Sequence, residues 1–443
     1  MKRLGFALAA LVLGPACAHR PIVPGSYLDY TGRNDALSGG ARMIPIETPK
    51  GQTFRVWTKR TGNNPTAKVL LLHGGPGATH EYLEAFDSFF PAAGIEYYYY
   101  DQLGSGFSDR PAEPDLWDLP RFVEEVEQVR LALGLRRENF YLYGHSWGGI
   151  LAMEYALKYQ EHLKGLVVSN MMSSCPAYDA YAEAFLAPEM PPETLAEIRR
   201  IEAAGDTANP RYMELLMSWH YTRHVLRMPA EEWPDPVNRA FAHLNPEIYV
   251  SMQGPSELGI TGKLEEWDRS RHLRLISVPT LVIGGRYDTM DPRHMEWMAS
   301  EFPNGRYLHC SNGSHLAMYD DQETYFRGLV EFVRDVEAGR LRGGEVGRVH
   351  EAAEPEDGSL AFHDASLEEF EVEPAQEECF LCLGPYRRSC GGFPHGGDAV
   401  WCEMWWAFEA CARAERAGRT VRAEVGVAPD GEIRLFRWWV AER

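Results

Sequence analysis

Basic charge and long apolar runs are both scarce in this sequence. Its 44 Lys and Arg residues are outnumbered by 64 Asp and Glu residues, which gives a formal net charge of -20 at pH 7. Nucleic acids and anionic membrane surfaces require a basic face, so the composition argues against either as the main partner. Beyond the N-terminal segment, no stretch is long and apolar enough to span a bilayer. The 443 residues, 45% of them hydrophobic, nevertheless suffice to bury a large core.

The N-terminal segment has the pattern of an export signal, which we predict over residues 1–18. Lys2 and Arg3 precede an apolar stretch that is too short for a transmembrane helix, and small residues follow it. Two processing routes fit this pattern: cleavage after Ala18, or lipid attachment to Cys17 as in bacterial lipoproteins. We therefore expect an exported protein that is periplasmic, secreted, or attached to the cell envelope through a lipid on Cys17.

Cysteine is scarce in most of the chain and concentrated near its end. Three of the eight cysteines precede residue 340, and the other five lie between residues 379 and 411. We predict an acidic linker over residues 340–378 and a small Cys-rich module over residues 379–443, with a hairpin that turns at Asp430-Gly431. In an exported protein such a module favours disulfides over a zinc site, and both remain open.

The stretch GHSWGG, residues 144–149, stands between an apolar run, residues 139–143, and a helical pattern, residues 150–159. This order of strand, sharp turn and helix is the context of a G-x-S-x-G nucleophile elbow. Glycine is required beside the serine because a Cβ there would collide with the adjoining strand and helix. The elbow predicts Ser146 as a nucleophile, with the N-terminus of the next helix facing the position of an oxyanion.

A second glycine-rich stretch, HGGPG at residues 73–77, follows the continuous apolar run of residues 68–72. Such a run is typical of a strand buried on both faces of a parallel sheet. Beside a serine elbow, the loop after this strand supplies half of an oxyanion hole, and the residue after the nucleophile supplies the other half. The predicted donors are the N–H groups of Gly75, or also Gly74, and of Trp147.

Three polar residues each follow a predicted strand of the sheet: Ser146, Asp288 and His315. A serine hydroxyl is a poor nucleophile at neutral pH and needs an imidazole within hydrogen-bonding reach. The imidazole in turn needs a carboxylate that fixes its tautomer. Serine, acid and histidine is the chain order that α/β hydrolases use. We therefore predict these three residues as a catalytic triad, which needs neither a metal nor an organic cofactor.

The order of predicted strands and helices indicates an α/β-hydrolase fold with a mostly parallel eight-stranded sheet. After an N-terminal arm, residues 19–42, the core is predicted over residues 43–170 and 273–339. Residues 171–272 show helix-like, aromatic and Pro-broken segments without a clear buried strand. We expect them to form a helical cap over the sheet.

Five stretches together resemble the proline iminopeptidase family of α/β hydrolases: HGGPG, DQLGSGFSD, GHSWGG, GGRYDTMDP and NGSHLAMYD. Their joint occurrence, over roughly residues 43–338, is far more specific than any one of them. GPSELGITG, residues 254–262, further resembles the branch that contains the tricorn-interacting aminopeptidases. In that branch the glutamate of this motif binds the free α-amino group of the peptide, which makes Glu257 the expected amine-binding residue. A carboxylate suits this role because it accepts a charge-assisted hydrogen bond from an ammonium group.

The resemblance implies a serine hydrolase that releases N-terminal proline or another apolar residue from short peptides through an acyl-enzyme. Family members use a second cap glutamate beside the first, but residues 220–227 contain none, and Glu214 is only a weak candidate. Two other functions remain open. The same triad cleaves esters and amides of small molecules, since the fold alone does not set the substrate. The unexplained C-terminal module would also suit a non-catalytic, envelope-anchored binding protein.

Overall fold

The computed structural model describes four ranges of the chain: residues 40–341, 367–371, 420–427 and 433–441. The chain divides into two compact units, residues 1–352 and 353–443. Within the described ranges, none of the helices has the length and apolar character needed to cross a membrane. The predicted export signal and Cys17 lie outside the described residues, as do the five C-terminal cysteines.

Eight strands of the first unit form one sheet. They are β1 (Ala41–Glu47), β2 (Thr53–Thr61), β3 (Lys68–Leu72), β4 (Glu96–Asp101), β5 (Phe140–His145), β6 (Gly165–Ser169), β7 (Thr280–Gly285) and β8 (Gly305–Cys310). Their order across the sheet is β1-β2-β4-β3-β5-β6-β7-β8. The β1–β2 and β2–β4 pairs are antiparallel and the other pairs are parallel. The predicted mostly parallel, eight-stranded sheet is confirmed.

The described residues of the first unit also contain eleven α-helices. They are α1 (Phe90–Ala93), α2 (Leu119–Leu133), α3 (Trp147–Tyr159), α4 (Cys175–Tyr181), α5 (Pro192–Ala203), α6 (Pro210–Leu216), α7 (Asp235–Ala242), α8 (Pro246–Met252), α9 (Pro292–Glu301), α10 (Ala317–Asp320) and α11 (Gln322–Glu337). Every residue of the central strands β5, β6 and β7 is buried. The sheet therefore lies within the core, as a parallel sheet requires.

Helix α2 illustrates how local sequence sets these elements. Proline stands in its first turn, where a missing N–H costs nothing, and Gly134 ends the helix in the left-handed conformation with φ 66°. Its apolar side chains Phe122, Val126 and Val129 recur at helical spacing and are buried. A helix bounded in this way covers the sheet with one apolar face.

Residues 171–272 are helical and contain α4 to α8, together with π-helical segments at Ala182–Leu186 and Met217–Val225. The β-pairing recorded within them is a single isolated bridge between Ser174 and Asp268. This segment separates β6 from β7, two neighbouring parallel strands. It is therefore an insertion between two adjacent interior strands of the sheet.

The second unit contains an antiparallel sheet in the order β11-β10-β9, formed by β9 (Leu367–Glu371), β10 (Thr420–Val427) and β11 (Ile433–Ala441). The β10–β11 pair matches the predicted hairpin, although its turn lies outside the described residues. Residues 367–371, which we expected within an acidic linker, instead form β9. The linker prediction does not hold there, because pairing with a distant strand overrides the acidic local composition.

Candidate active site

The serine elbow is built by close contacts that only glycine permits. Ser146 lies between β5 and α3 with φ 55° and ψ -127°, a strained conformation for a residue with a side chain. A Cβ on Gly144 would clash with the carbonyl of Gly148, and a Cβ on Gly148 would clash with the carbonyl of Leu72. The turn therefore holds the serine at the end of a central strand.

Asp288 and His315 form a hydrogen-bonded pair. The His315 Nδ1 atom lies 2.8 Å from Asp288 Oδ1, and the carboxylate is fully buried. Because an ionised carboxylate only accepts hydrogen bonds, Nδ1 carries the proton and Nε2 has the lone pair of a general base. Burial alone lowers the pKa of His315, but the charge and hydrogen bond of Asp288 outweigh it and raise the pKa above its ordinary value.

His145 connects the serine turn to His315, the predicted catalytic histidine. Its Nε2 atom donates to the main-chain oxygen of His315 at 2.8 Å, and the two rings lie 4.9 Å apart. Among the described residues, Ser146 Oγ and His315 Nε2 have no hydrogen bond to each other. Catalytic hydrogen bonds of this kind are often long without substrate and shorten in the substrate complex.

The two glycines predicted as oxyanion donors differ in their contacts. The N–H of Gly74 donates to Tyr82 Oη at 2.5 Å, and the Tyr82 hydroxyl lies 3.0 Å from His145 Nδ1. Burial and the nearby His315 lower the pKa of His145 to about 3, so its ring is neutral and accepts this hydroxyl proton. The N–H of Gly74 is therefore occupied, which corrects its prediction as a donor. Its role is close approach, since a Cβ on Gly74 would lie 2.7 Å from the Cβ of Ser146.

The N–H groups of Gly75 and Trp147 have no such acceptor among the described residues. Neither donates a hydrogen bond to any described residue. Trp147 is the first residue of α3, where a backbone N–H has no partner within the helix. Its indole is held by a hydrogen bond from Nε1 to Gln102 Oε1 at 2.8 Å. These two N–H groups remain the predicted oxyanion donors.

Asn170 supports Asp288, the predicted catalytic acid, and was not itself predicted from the sequence. Its amide Nδ2 donates to Asp288 Oδ2 at 2.6 Å and to the main-chain oxygen of Ser314 at 3.1 Å. It follows β6 directly and has φ 51°, a left-handed conformation that asparagine tolerates. A signal existed in the sequence, because asparagine at the end of a central parallel strand lies at the edge where the catalytic residues meet.

Glu257 is held in the loop after α8 by four neighbours. The Tyr249 hydroxyl donates to its carboxylate Oε1 at 2.6 Å, and its main-chain N–H donates to Tyr221 Oη at 3.1 Å. Its main-chain oxygen accepts hydrogen bonds from Tyr178 Oη at 2.6 Å and from His220 Nε2 at 2.9 Å. These bonds fix both the backbone and the side chain of the residue.

The carboxylate of Glu257 has no cationic partner among the described residues. Its Oε2 atom accepts no hydrogen bond there, although the residue is half-buried. The negative charge acts on the active site, since it contributes to the raised pKa of His315. A half-buried carboxylate without a counter-charge favours a cationic ligand.

The second cap glutamate is not found at Glu214. That side chain is 67% exposed and pairs with Arg211 at 2.8 Å. Within the part of the chain that the structure describes, no group of His, Cys, Asp or Glu residues has an arrangement suited to a metal ion. Glu257 therefore remains the predicted amine-binding residue.

Comparisons with known proteins agree with this geometry. A family model described as alpha/beta hydrolase fold matches residues 68–322. The proline iminopeptidase of Flavobacterium johnsoniae is 58% identical over 294 residues, which are 66% of this chain and 98% of the relative. That of Elizabethkingia meningoseptica is 57% identical over 297 residues, 67% of this chain and 98% of the relative. The chain belongs to the proline iminopeptidase family of α/β hydrolases.

Solved structures extend the likeness to the fold of this family member. The crystal structure of VinJ has a TM-score of 0.62 and 30% identity, and covers 67% of this chain and 99% of its own. The crystal structure of a Mycobacterium smegmatis proline iminopeptidase has a TM-score of 0.59 and 28% identity, with the same coverage. The predicted family and the α/β-hydrolase fold are thus confirmed.

Proposed function

We propose that this protein is a serine aminopeptidase that releases N-terminal proline or another apolar residue from short peptides through an acyl-enzyme. The observation that carries the proposal is the half-buried carboxylate of Glu257, which has no cationic partner among the described residues and whose charge acts on His315. An exopeptidase must recognise a terminal ammonium group, and this carboxylate offers it a charge-assisted hydrogen bond. The names of the similar proteins support the same substrate class.

In the first half-reaction, Ser146 Oγ attacks the carbonyl carbon of the first peptide bond while His315 Nε2 takes its proton. The N–H groups of Gly75 and Trp147 receive the negative charge of the tetrahedral intermediate. His315 then gives the proton to the leaving nitrogen, and the N-terminal residue remains as an ester on Ser146. Asp288 holds the imidazole in the required tautomer and stabilises its charged form.

In the second half-reaction, water attacks this ester while His315 again accepts a proton, and His315 then returns that proton to Ser146 Oγ as the free amino acid leaves. The ammonium group of the substrate stays on Glu257 Oε2 through both steps. A hydrogen bond to a charged group contributes roughly 1.5–3 kcal/mol, which corresponds to about a 10- to 150-fold preference for a free amine over a blocked one. Acetylation removes this charge and adds bulk at the same position.

The test is hydrolysis of prolyl and alanyl nitroanilides, each with a free amine and N-acetylated, by wild type, Glu257→Gln and Glu266→Gln. Glu266 is the matched control, since it lies exposed on the same cap and makes no hydrogen bond or ion pair with the described residues. We expect wild type and Glu266→Gln to cleave free-amine substrates preferentially, and Glu257→Gln to lose most of that preference.

Equal cleavage of free and blocked substrates by wild type would overturn the proposal. That result would favour the alternative of an esterase or amidase of small molecules, for which the amine is irrelevant. Loss of preference in Glu266→Gln as well would show that the effect does not arise from the amine-binding carboxylate.

A further inference from the structure

A buried tyrosine hydroxyl connects the amine-binding carboxylate to the rest of the site. We propose that Tyr249 is a positioning residue that orients the Glu257 carboxylate and thereby sets the distance between bound amine and attacked carbonyl. The proposal rests on the proposed aminopeptidase function. It concerns a residue that does not itself touch the reacting atoms.

The first argument is the hydrogen bond between the two side chains. Tyr249 is 7% exposed, and its Oη lies 2.6 Å from Glu257 Oε1. The hydroxyl must be the donor, because an ionised carboxylate has only acceptor oxygens. The terminal torsion of a glutamate is otherwise broad and poorly defined. The bond therefore occupies Oε1, fixes the plane of the carboxylate, and leaves Oε2 for the ammonium group.

The second argument is the position of the tyrosine ring. A Cβ added to Gly75 would lie 3.3 Å from Tyr249 Cε2 and 3.5 Å from Cδ2, so the ring packs against the predicted oxyanion donor. The helix that carries Tyr249 is attached to the same loop, since the Asn245 N–H donates to the Gly77 carbonyl at 2.8 Å. One side chain thus contacts the oxyanion loop with its ring and the amine-binding carboxylate with its hydroxyl.

This arrangement fixes the distance between the amine nitrogen and the carbonyl group of the bound N-terminal residue. In an α-amino acid a single carbon separates the amine nitrogen from the carbonyl carbon. With the carbonyl oxygen at Gly75 and the ammonium at Glu257 Oε2, a rigid spacer between them selects this separation. A β-amino acyl group has one extra methylene, so it cannot satisfy both contacts without strain. Tyr249 therefore accounts for a preference for α-amino over β-amino acyl groups.

The test is Tyr249→Phe, which keeps the ring against Gly75 and removes only the hydroxyl. For prolyl nitroanilide we expect kcat/KM to fall about tenfold, mainly through a higher KM, because the carboxylate loses its fixed orientation. Hydrolysis of a simple ester without an amine should be unchanged. The preference for alanyl over β-alanyl nitroanilide should narrow.

Tyr212→Phe is the matched control. Tyr212 is another buried cap tyrosine, and its hydroxyl bonds Glu202 at 2.8 Å and Ser256 at 3.0 Å rather than the amine-binding carboxylate. We expect this variant to keep the wild-type KM for prolyl nitroanilide and the wild-type preference for α-amino substrates.

A double-mutant cycle separates positioning from general support of the fold. If Tyr249 acts through Glu257, then Tyr249→Phe should have no further effect in a Glu257→Gln background. An equal loss of activity on all substrates, full additivity of the two changes, or a wild-type KM in Tyr249→Phe would overturn the proposal. Failure of the underlying function gives a different result, namely no change of amine preference in Glu257→Gln.

Discussion

Replacing Asn170 by glycine should slow catalysis by weakening the support of the catalytic acid. The Asn170 amide donates to Asp288 Oδ2 at 2.6 Å, whereas Oδ1 accepts from His315 Nδ1 at 2.8 Å and from the Met290 N–H at 3.1 Å. Asn170 is thus the amide that holds the oxygen facing away from the imidazole. Glycine removes this amide and still adopts the observed φ of 51° without strain.

The expected magnitude follows from the charge of the acceptor. A hydrogen bond to a charged group contributes roughly 1.5–3 kcal/mol. If this energy stabilises mainly the transition state, in which the imidazole is charged, kcat/KM falls by about 10- to 150-fold with little change in KM. Asn170→Ala should lose the same rate. It should also be less stable than the glycine variant by about 1 kcal/mol, because alanine is disfavoured in the left-handed conformation.

The assay combines steady-state kinetics on prolyl nitroanilide with urea unfolding followed by residual activity. The glycine and alanine variants should share one kcat and differ in their urea midpoints. A wild-type rate in Asn170→Gly would refute the reasoning. A lower kcat in the less stable of the two variants would also contradict it, since the loss of activity would then reflect unfolding rather than the orientation of Asp288.

Three further predictions concern the same network. Because Asp288 raises the pKa of His315 above its ordinary 6.5, kcat/KM should rise with pH through a pKa above 6.5, and Asp288→Asn should shift this rise to lower pH. A rise centred below pH 6.5 in wild type would contradict this. Tyr82→Phe should lower the free energy of unfolding, measured by urea denaturation, by roughly 2–6 kcal/mol, because it leaves the buried Gly74 N–H and His145 Nδ1 without a partner. A loss below about 1 kcal/mol would refute this prediction. Since burial lowers the pKa of His145 to about 3, the unfolded protein binds more protons than the folded protein between pH 6.5 and about 3. The urea concentration at half-unfolding should therefore fall as the pH falls through that range, and a constant value would contradict this.

The fold and the principal site residues were predictable because their signals are local. Ser146 follows β5 and Asp288 follows β7, which are continuous buried runs inside the sheet, whereas His315 follows the outermost strand, β8. In a parallel sheet these strand ends meet at one edge, so residues far apart in sequence become neighbours. Glycine spacing around the elbow also has a direct steric meaning, which the contacts of Gly144 and Gly148 show.

The supporting residues were not predictable because their partners are distant. Asn170 bonds Asp288, 118 residues away, and Tyr82 bonds His145, 63 residues away. The difference between Gly74 and Gly75 likewise depends on where the Tyr82 hydroxyl lies, which no pattern within the glycine-rich loop specifies. Strand β9 was missed for a related reason, since its pairing partner β10 begins about fifty residues later.

The most direct test of the account is labelling by a fluorophosphonate in wild type and Ser146→Ala. Mass spectrometry identifies the labelled residue, and added amides show which ligands slow its labelling. The account predicts a single adduct on Ser146, absent from the variant, whose formation is slowed by prolinamide and not by N-acetylprolinamide. The first part reports the nucleophile, and the second reports the free amine on Glu257. An adduct on another residue, or equal protection by the free and the acetylated amide, would contradict the central claim.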